Sequence, residues 1–224
     1  MKNKLMLILT IVHAAALTVA IALIEKDIVP IHWGSNGVVD NYGSKWTMLL
    51  FVFLPLVMQL TEGYYHMGTP GNSGAWKNAK PETRTAVMLF LIAVSWGVYA
   101  MVSANVTDIG GIFPGALAML LGLLIMYISN SLPTVKQNRW YGIKVYWTLR
   151  NEDVWKRTHR FGAYTGVAGG FLMLLGGVFA VIHDSPLVAA FGVFAGIIGA
   201  GVIPVIYAAI IYKKLHPKNE ENIG

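Results

Sequence analysis

The stretch "LMLILTIVHAAALTVAIALI", residues 5–24, runs for twenty residues without Asp, Glu, Lys or Arg. A helix of that length spans about 30 Å, the thickness of the hydrocarbon core of a bilayer. Backbone polar groups inside lipid must pair within the chain, so we expect a helix here. Similar uncharged runs follow near residues 46–61, 85–104, 112–131, 164–182 and 187–212. The sequence therefore predicts an all-α, polytopic integral membrane protein with six transmembrane helices.

The composition of the whole chain supports a single membrane domain. Hydrophobic residues make up 55% of the 224 residues and charged residues only 12%, whereas a soluble domain carries about 25% charged residues. We therefore expect one membrane domain over residues 1–224, with no soluble domain attached. Cysteine is absent, which excludes disulfides and thiolate metal sites.

The basic residues predict the orientation of the chain. With a cytoplasmic N-terminus and six spans, Lys26 and Lys45 are the only two of the 17 basic residues that fall outside the cell. Cytoplasmic segments of membrane proteins are enriched in Lys and Arg, so both termini are predicted to be cytoplasmic. This topology accounts for the net charge of +6, and we expect no direct nucleic-acid partner.

The first outer connection is the most distinctive one. It reads "PIHWGSNGVVDNYGSKW" over residues 30–46. One interpretation is an ordered interfacial loop, with tryptophan at headgroup level and turns at Asn36–Gly37 and Tyr42–Gly43. Another is a recognition surface, for which the candidate residues are Pro30, His32, Trp33, Gly37, Asp40 and Lys45.

Two more specific expectations concern the charged side chains of this connection. Asp40 precedes Lys45 by five residues, across the Tyr42–Gly43 step, and we expect the two to form an ion pair. A metal site would need further ligands beside His32 and Asp40, and Glu25 and Asp27 would have to fold back to supply them.

The second inner connection reads "NSLPTVKQNRWYGIKVYWTLRNEDVWKRTHRFG" over residues 130–162. Asn151 can cap a helix whose first turn holds two acidic residues. The pairs Glu152–Lys156 and Asp153–Arg157 have the favourable i,i+4 order. We expect an interfacial helix that leads into the fifth span.

This connection has two interpretations. It is either a basic and aromatic membrane anchor or a docking site for a cytoplasmic protein. Trp, Tyr and Arg are the residue types that dominate binding hot spots. The candidate residues are Asn138, Arg139, Gly142, Lys144, Trp147, Thr148, Asn151, Trp155, Arg157 and His159.

The apolar runs contain little chemistry. None includes Asp, Glu, Lys or Arg, and His13 is the single histidine within them. Metalloprotease, nucleophile-elbow and phosphate-loop motifs are also missing, so we expect neither an enzyme nor a cofactor. The rival to a binding function is a small transporter or exporter whose uncharged site is lined by His13, Ser95 and Asn105.

Small residues recur every four positions in the last two runs. Such ridges let helices approach closely, either within one chain or across a homodimer. The residues are Gly162, Gly166 and Gly170, and then Gly192, Gly196 and Ala200.

Both connections resemble known families. The outer one resembles "P-x-H-W-N-x-x-G-x-x-D-x-Y-G-S-K", a motif of a membrane domain of unknown function that accompanies SdpI-like proteins, and it departs from it at Gly34 and Val39. The inner one resembles the SdpI family signature "N-x-x-P…N-x-x-x-G-I-[KR]-x-P-W-T-L-x-N-E-x-x-W-x-x-T-x-R", with Tyr146 in place of a proline. The inner matches are Asn130, Pro133, Asn138, Gly142, Ile143, Lys144, Trp147, Thr148, Leu149, Asn151, Glu152, Trp155, Thr158 and Arg160.

The resemblance implies a multi-pass protein of the bacterial plasma membrane. It implies an N-terminal helix pair at residues 1–62 with the outer motif, and an SdpI-like module at residues 112–212. The namesake of the family gives immunity to a secreted peptide toxin and holds a small autorepressor at the membrane. The expected partners are therefore the lipid bilayer, a peptide toxin and a small cytoplasmic repressor.

Overall fold

The computed structural model describes residues 2–67, 81–139 and 141–216, with side chains at 4–59, 83–139 and 141–216. We number its helices and strands in chain order. They are α1 (Lys2–Ala22), β1 (Ile28–Trp33), β2 (Val39–Ser44), a 3₁₀ turn (Lys45–Met48), α2 (Leu49–Met67), α3 (Pro81–Ser103), α4 (Ile112–Ser131), a second 3₁₀ turn (Leu132–Thr134), α5 (Tyr146–Arg150), α6 (Glu152–Ile182), α7 (Pro186–Ile197), a π-helical turn (Ile198–Val202) and α8 (Ile203–Leu215).

The predicted fold class is confirmed. Within the described residues, five helical segments are long and apolar enough to cross a membrane, and Lys45–Gln59 is a shorter apolar one. Large apolar side chains point outward from these helices, and Leu50 and Phe191 are 68% and 66% exposed. Such a surface is costly in water and favourable in lipid. The chain is therefore an all-α, multi-pass membrane protein.

The helices pack in two groups. The first three surround a core of buried aliphatic side chains in which Leu17 and Ile21 of α1 meet Val52 of α2 and Val102 of α3. In the second group, α6 is central and contacts α4, α7 and α8. Contacts between α3 and α4 join the two groups.

Small residues allow the close packing of the second group. A Cβ atom on Gly170 would lie 2.7 Å from the carbonyl oxygen of Gly122, and one on Gly192 would lie 2.8 Å from the Cα atom of Gly176. The glycine ridges therefore pack within one chain, as predicted. The homodimer expected through the same glycines is not supported, because neighbouring helices already cover them.

Two helix boundaries differ from the prediction. The expected interfacial helix and the fifth span form one continuous helix, α6, of 31 residues. Its charged first turns are capped and paired, so the helix does not need to end where the apolar run begins. The sixth span is interrupted by the π-helical turn Ile198–Val202.

The orientation predicted from the basic residues can be tested by labelling. Ser35 and Lys144 are both exposed and belong to opposite predicted sides. Because the chain lacks cysteine, Ser35→Cys and Lys144→Cys each introduce a single thiol. An impermeant maleimide added to whole cells is expected to label position 35 and not 144. The reverse pattern would overturn the orientation.

Candidate functional site

The first outer connection, predicted to be an ordered loop, folds as a β-hairpin. Strands β1 and β2 pair antiparallel, with Ile28 opposite Ser44 and Val29 opposite Gly43. The predicted Asn36–Gly37 turn is confirmed: Gly37 has φ +83°, and its amide donates to the carbonyl oxygen of Gly34 at 2.9 Å. The predicted Tyr42–Gly43 turn is wrong, because both residues lie inside β2.

The predicted ion pair between Asp40 and Lys45 is also wrong. Asp40 instead contacts His32 on the facing strand, with Oδ1 2.5 Å from Nδ1. The Lys45 ammonium donates to the carbonyl oxygen of Ile24 at 2.6 Å and lies 3.3 Å from a carboxylate oxygen of Asp27. Carbonyl groups just beyond a helix end lack partners and attract a cation, so Lys45 fastens the hairpin to the end of α1.

The six-span topology predicts three outer connections, at residues 25–45, 105–111 and 183–186. They meet in one structure, which we call the outer cap. Hydrogen bonds join its parts. The Trp33 indole donates to the Val106 carbonyl oxygen at 3.1 Å, the Ile109 amide to that of Gly37 at 2.9 Å, and the Gly111 amide to a carboxylate oxygen of Asp184 at 2.7 Å.

The candidate residues of the outer cap divide into two kinds. Four of them build the cap: Pro30, Gly37 and Lys45 are buried, and Trp33 is half-buried. His32 and Asp40 instead face outward, with side chains 65% and 52% exposed. Exposed apolar side chains lie near this polar pair, among them Val38 at 43% and Tyr42 at 52%. In the described part of the chain, no three His, Asp or Glu side chains converge as metal ligands would.

At the other end of the bundle, a buried aromatic pair organises what we call the inner loop (residues 132–151). Trp155 and His159 of α6 are each 1% exposed and stack with ring centroids 3.9 Å apart. The Trp155 indole donates to the carbonyl oxygen of Val135 at 2.8 Å. His159 Nε2 accepts the amide of Ile143 at 3.0 Å. The pair thus holds both limbs of the loop against α6.

The geometry around His159 assigns its tautomer. Because Nε2 accepts a backbone amide, it carries no proton, and Nδ1 donates to the Trp155 carbonyl oxygen at 2.9 Å. Gly142 fits against this ring with φ +116°, and a Cβ atom there would overlap His159 Nε2. This position therefore needs glycine both for its backbone conformation and for space.

Three further candidate residues hold the inner loop. Thr148 is fully buried, and its hydroxyl donates to the Ile143 carbonyl oxygen at 2.7 Å. The Asn138 side chain accepts the Tyr141 amide at 2.8 Å. The predicted cap is confirmed, because Asn151 accepts the Val154 amide at 3.0 Å.

The outward-facing candidates of this end are basic. Arg139, Lys144 and Arg157 are exposed, and Trp147 is half-buried. The predicted Glu152–Lys156 pair is confirmed at 2.8 Å, whereas Asp153 and Arg157, both described, form no ion pair. The six-span topology also predicts a first inner connection at residues 62–84, rich in Gly and Pro. Its residues 68–80, and Trp140 of the second inner connection, lie outside the described residues.

The structure brings two of the three proposed transporter residues to the same place, because His13 approaches the carbonyl oxygen of Phe51 to which the Ser95 hydroxyl donates at 3.1 Å. His13 and Ser95 are buried at 3% and 2% exposure, with the His13 ring edge-on to Trp96. Asn105 is exposed in the outer cap, ten residues beyond Ser95. Neither ring nitrogen of His13 forms a hydrogen bond of standard geometry within the described residues.

Sequence-based prediction missed two features. The first is the contact of Gly110 and Gly111 with Asp184. Two adjacent glycines directly before a helix were the available signal that another segment approaches closely there. The stacking of Phe161 on Tyr207, with centroids 4.2 Å apart, had no local signal because the residues lie on different helices.

These features define a helical membrane protein with an ordered cap at one end and an internally braced basic loop at the other. Residues 134–208 match the SdpI/YfhL protein family, and residues 5–58 match a domain of unknown function (DUF1648). Both resemblances seen in the motifs are thereby confirmed.

One curated relative is the protein named Immunity protein SdpI from Bacillus subtilis (strain 168). The two are 34% identical over 53 residues, which is 24% of this chain and 26% of the relative. The matched stretch thus spans about a quarter of the length of that relative. No solved structure matches the chain.

Proposed function

We propose that this protein is a non-enzymatic immunity protein that protects its cell from a secreted peptide acting at the membrane. The observation that carries the proposal is the similarity to a protein named as an immunity protein, together with the match of residues 134–208 to its family. The all-α membrane fold supports it, because a protein in that membrane lies where such a peptide acts.

The outer cap is the proposed recognition surface. A membrane-active peptide carries both apolar and polar groups, and the cap exposes both kinds side by side. Ile28 and Tyr42 are 60% and 52% exposed, and the His32–Asp40 pair lies on the same hairpin. The cap is already ordered by its own hydrogen bonds, so little conformational entropy is lost on binding.

The test is survival of cells in medium that contains their own secreted toxins. We expect deletion of the gene in the source strain to sensitise it to its filtered culture medium, and the wild-type gene to restore resistance. Tyr42→Ser removes a central exposed aromatic ring from the cap. It is expected to lower the tolerated dose about tenfold, the size of an interface hot spot.

The matched control is Tyr146→Ser at the other end of the bundle, where the ring is 55% exposed. It is expected to leave survival unchanged. Equal tolerance of the Tyr42 and Tyr146 variants, at equal protein levels, would contradict recognition by the cap. Full resistance of the deletion strain would contradict the immunity function itself.

We also propose that the inner loop docks a small cytoplasmic repressor. Arg139 and Lys144 are exposed on a loop that the Trp155–His159 pair holds rigid. The test uses cells that carry a reporter driven by the promoter of this gene. The double substitution Arg139→Glu with Lys144→Glu is expected to abolish toxin-dependent induction of the reporter and to preserve survival. Lys213→Glu with Lys214→Glu makes the same charge change on exposed residues of α8 and is the control.

One outcome would contradict the docking proposal, and another would favour the rival function. Wild-type induction in the inner-loop variant would show that these residues do not hold a repressor. Movement of a solute into liposomes that contain the purified protein would instead favour the rival function, a small transporter or exporter.

A further inference from the structure

A groove of about 560 Å³ runs along α6 where it faces α8. Its α6 residues recur every three or four positions, so they lie on one face of that helix. Over about 16 Å of helix, this face changes from charged to aromatic. The residues that carry the argument are Lys156, Arg157, Arg160, Phe161, Tyr164 and Tyr207.

The charged end of the groove has two arginines available for an anion. Asp153 is the one acidic residue of the lining, and Lys156 is paired with Glu152 at 2.8 Å. Arg157 and Arg160 are exposed, and within the described residues neither forms an ion pair. A guanidinium group binds a phosphate in a bidentate manner, so this end fits a phosphate group.

The other end of the groove is aromatic and lies toward the apolar part of α6. Phe161 stacks on Tyr207 with centroids 4.2 Å apart and an interplanar angle of 22°, and Tyr164 is 73% exposed. These residues follow the arginines along α6, in the direction of its uncharged stretch at 161–182. Aromatic side chains of this kind sit at the boundary between headgroups and hydrocarbon.

We propose that this groove binds one anionic phospholipid. Its phosphate would contact Arg157 and Arg160, and its glycerol and upper acyl chain would lie on the rings of Phe161, Tyr164 and Tyr207. Charge complementarity selects an anionic headgroup, and the cytoplasmic leaflet, where the predicted orientation places the groove, is rich in such lipids. This inference does not depend on the proposed immunity function.

The test measures the thermal stability of the full chain in lipid nanodiscs. Wild-type protein is expected to melt at a higher temperature in phosphatidylcholine with added phosphatidylglycerol than in phosphatidylcholine alone. Arg157→Gln with Arg160→Gln is expected to abolish this rise, with apparent affinity for phosphatidylglycerol falling about fivefold per arginine. Lys213→Gln with Lys214→Gln removes the same charge from the same end of the bundle and is expected to keep the rise.

The alternatives give different results. If phosphatidylglycerol does not raise the melting temperature of the wild type, there is no site and the proposal is overturned. If it raises the melting temperature of both double variants equally, the effect comes from diffuse surface charge and the proposal is again overturned. An equal rise with inorganic phosphate in phosphatidylcholine would show a site for free anions. An acidic peptide that competes and binds more tightly than phosphatidylglycerol would show a protein-docking groove instead.

Discussion

Gly111→Ala is expected to destabilise the protein by about 3 kcal/mol, the upper end of the usual cost of overpacking a core. Gly111 precedes α4 at the point where the end of α6 crosses it. A Cβ atom there would overlap the carbonyl oxygen of Ala180 and lie 2.5 Å from the amide nitrogen of Ser185. Both are backbone atoms, so no rotamer change relieves the clash, and the helices must move apart.

The separation would also break the outer cap. The Gly111 amide donates to Asp184, and Ile109, two residues earlier, donates to Gly37 of the hairpin. We therefore expect Gly111→Ala to lower the melting temperature in detergent and, under the proposed function, to lower toxin tolerance as well.

Gly201→Ala is the matched control for this substitution. Gly201 lies in the π-helical turn between α7 and α8, and a Cβ atom there would meet nothing within 4 Å. Alanine also restricts the unfolded chain, so we expect a change of no more than about 1 kcal/mol, in the stabilising direction. Similar melting temperatures for the two alanine variants would show that the α4–α6 crossing is less tight than the structure indicates.

The number and approximate places of the helices could be predicted because hydropathy reports which residues lie in lipid. The start of α6 shows the limit of that signal. Its apolar run begins at residue 164, whereas the helix begins at Glu152. Five of the nine residues at 152–160 are charged. Asn151 caps this part of the helix, and Glu152 pairs with Lys156. A helix stabilised in this way continues from water into lipid without a boundary that hydropathy detects.

The outer hairpin shows a second limit. Spacing along the chain favoured a pair between Asp40 and Lys45, but strand pairing brings Asp40 to His32 instead. Lys45 instead donates to the carbonyl oxygen of Ile24, 21 residues earlier and just beyond the end of α1. Register between strands and contacts with a distant helix end are long-range properties, and neither is encoded in local residue spacing.

The inner motif was located correctly, but the roles of its residues could not be read from their types. Trp, Thr and His are as suitable for a docking surface as for a core. The structure places Trp155, Thr148 and His159 inside and leaves the basic residues Arg139 and Lys144 exposed. The buried members hold the loop, which makes them the place where one substitution should have the largest effect on it.

Trp155→Ala is expected to destabilise the protein by about 3–5 kcal/mol, the usual range for removing a large buried aromatic side chain. The substitution removes the stack on His159 and leaves the buried carbonyl oxygen of Val135 without its donor. Without the stack, His159 is less firmly held as the acceptor for Ile143. We expect lower protein levels and a loosened inner loop.

Trypsin treatment of membrane vesicles with their cytoplasmic side outward measures that loosening. Arg139 and Lys144 are exposed tryptic sites, and cleavage there requires the loop to leave its folded conformation. Trp155→Ala is expected to be cut at both sites much faster than the wild type.

The matched control is Trp155→Phe, which keeps an aromatic ring over His159 and loses the hydrogen bond to Val135. It should lower the free energy of unfolding by about 1 kcal/mol, and its rate of cleavage should be close to that of the wild type. If the alanine variant resists trypsin as well as the phenylalanine variant does, the aromatic pair does not hold the inner loop. The hydrogen bonds of Thr148 and Asn138 would then be sufficient to keep the loop folded.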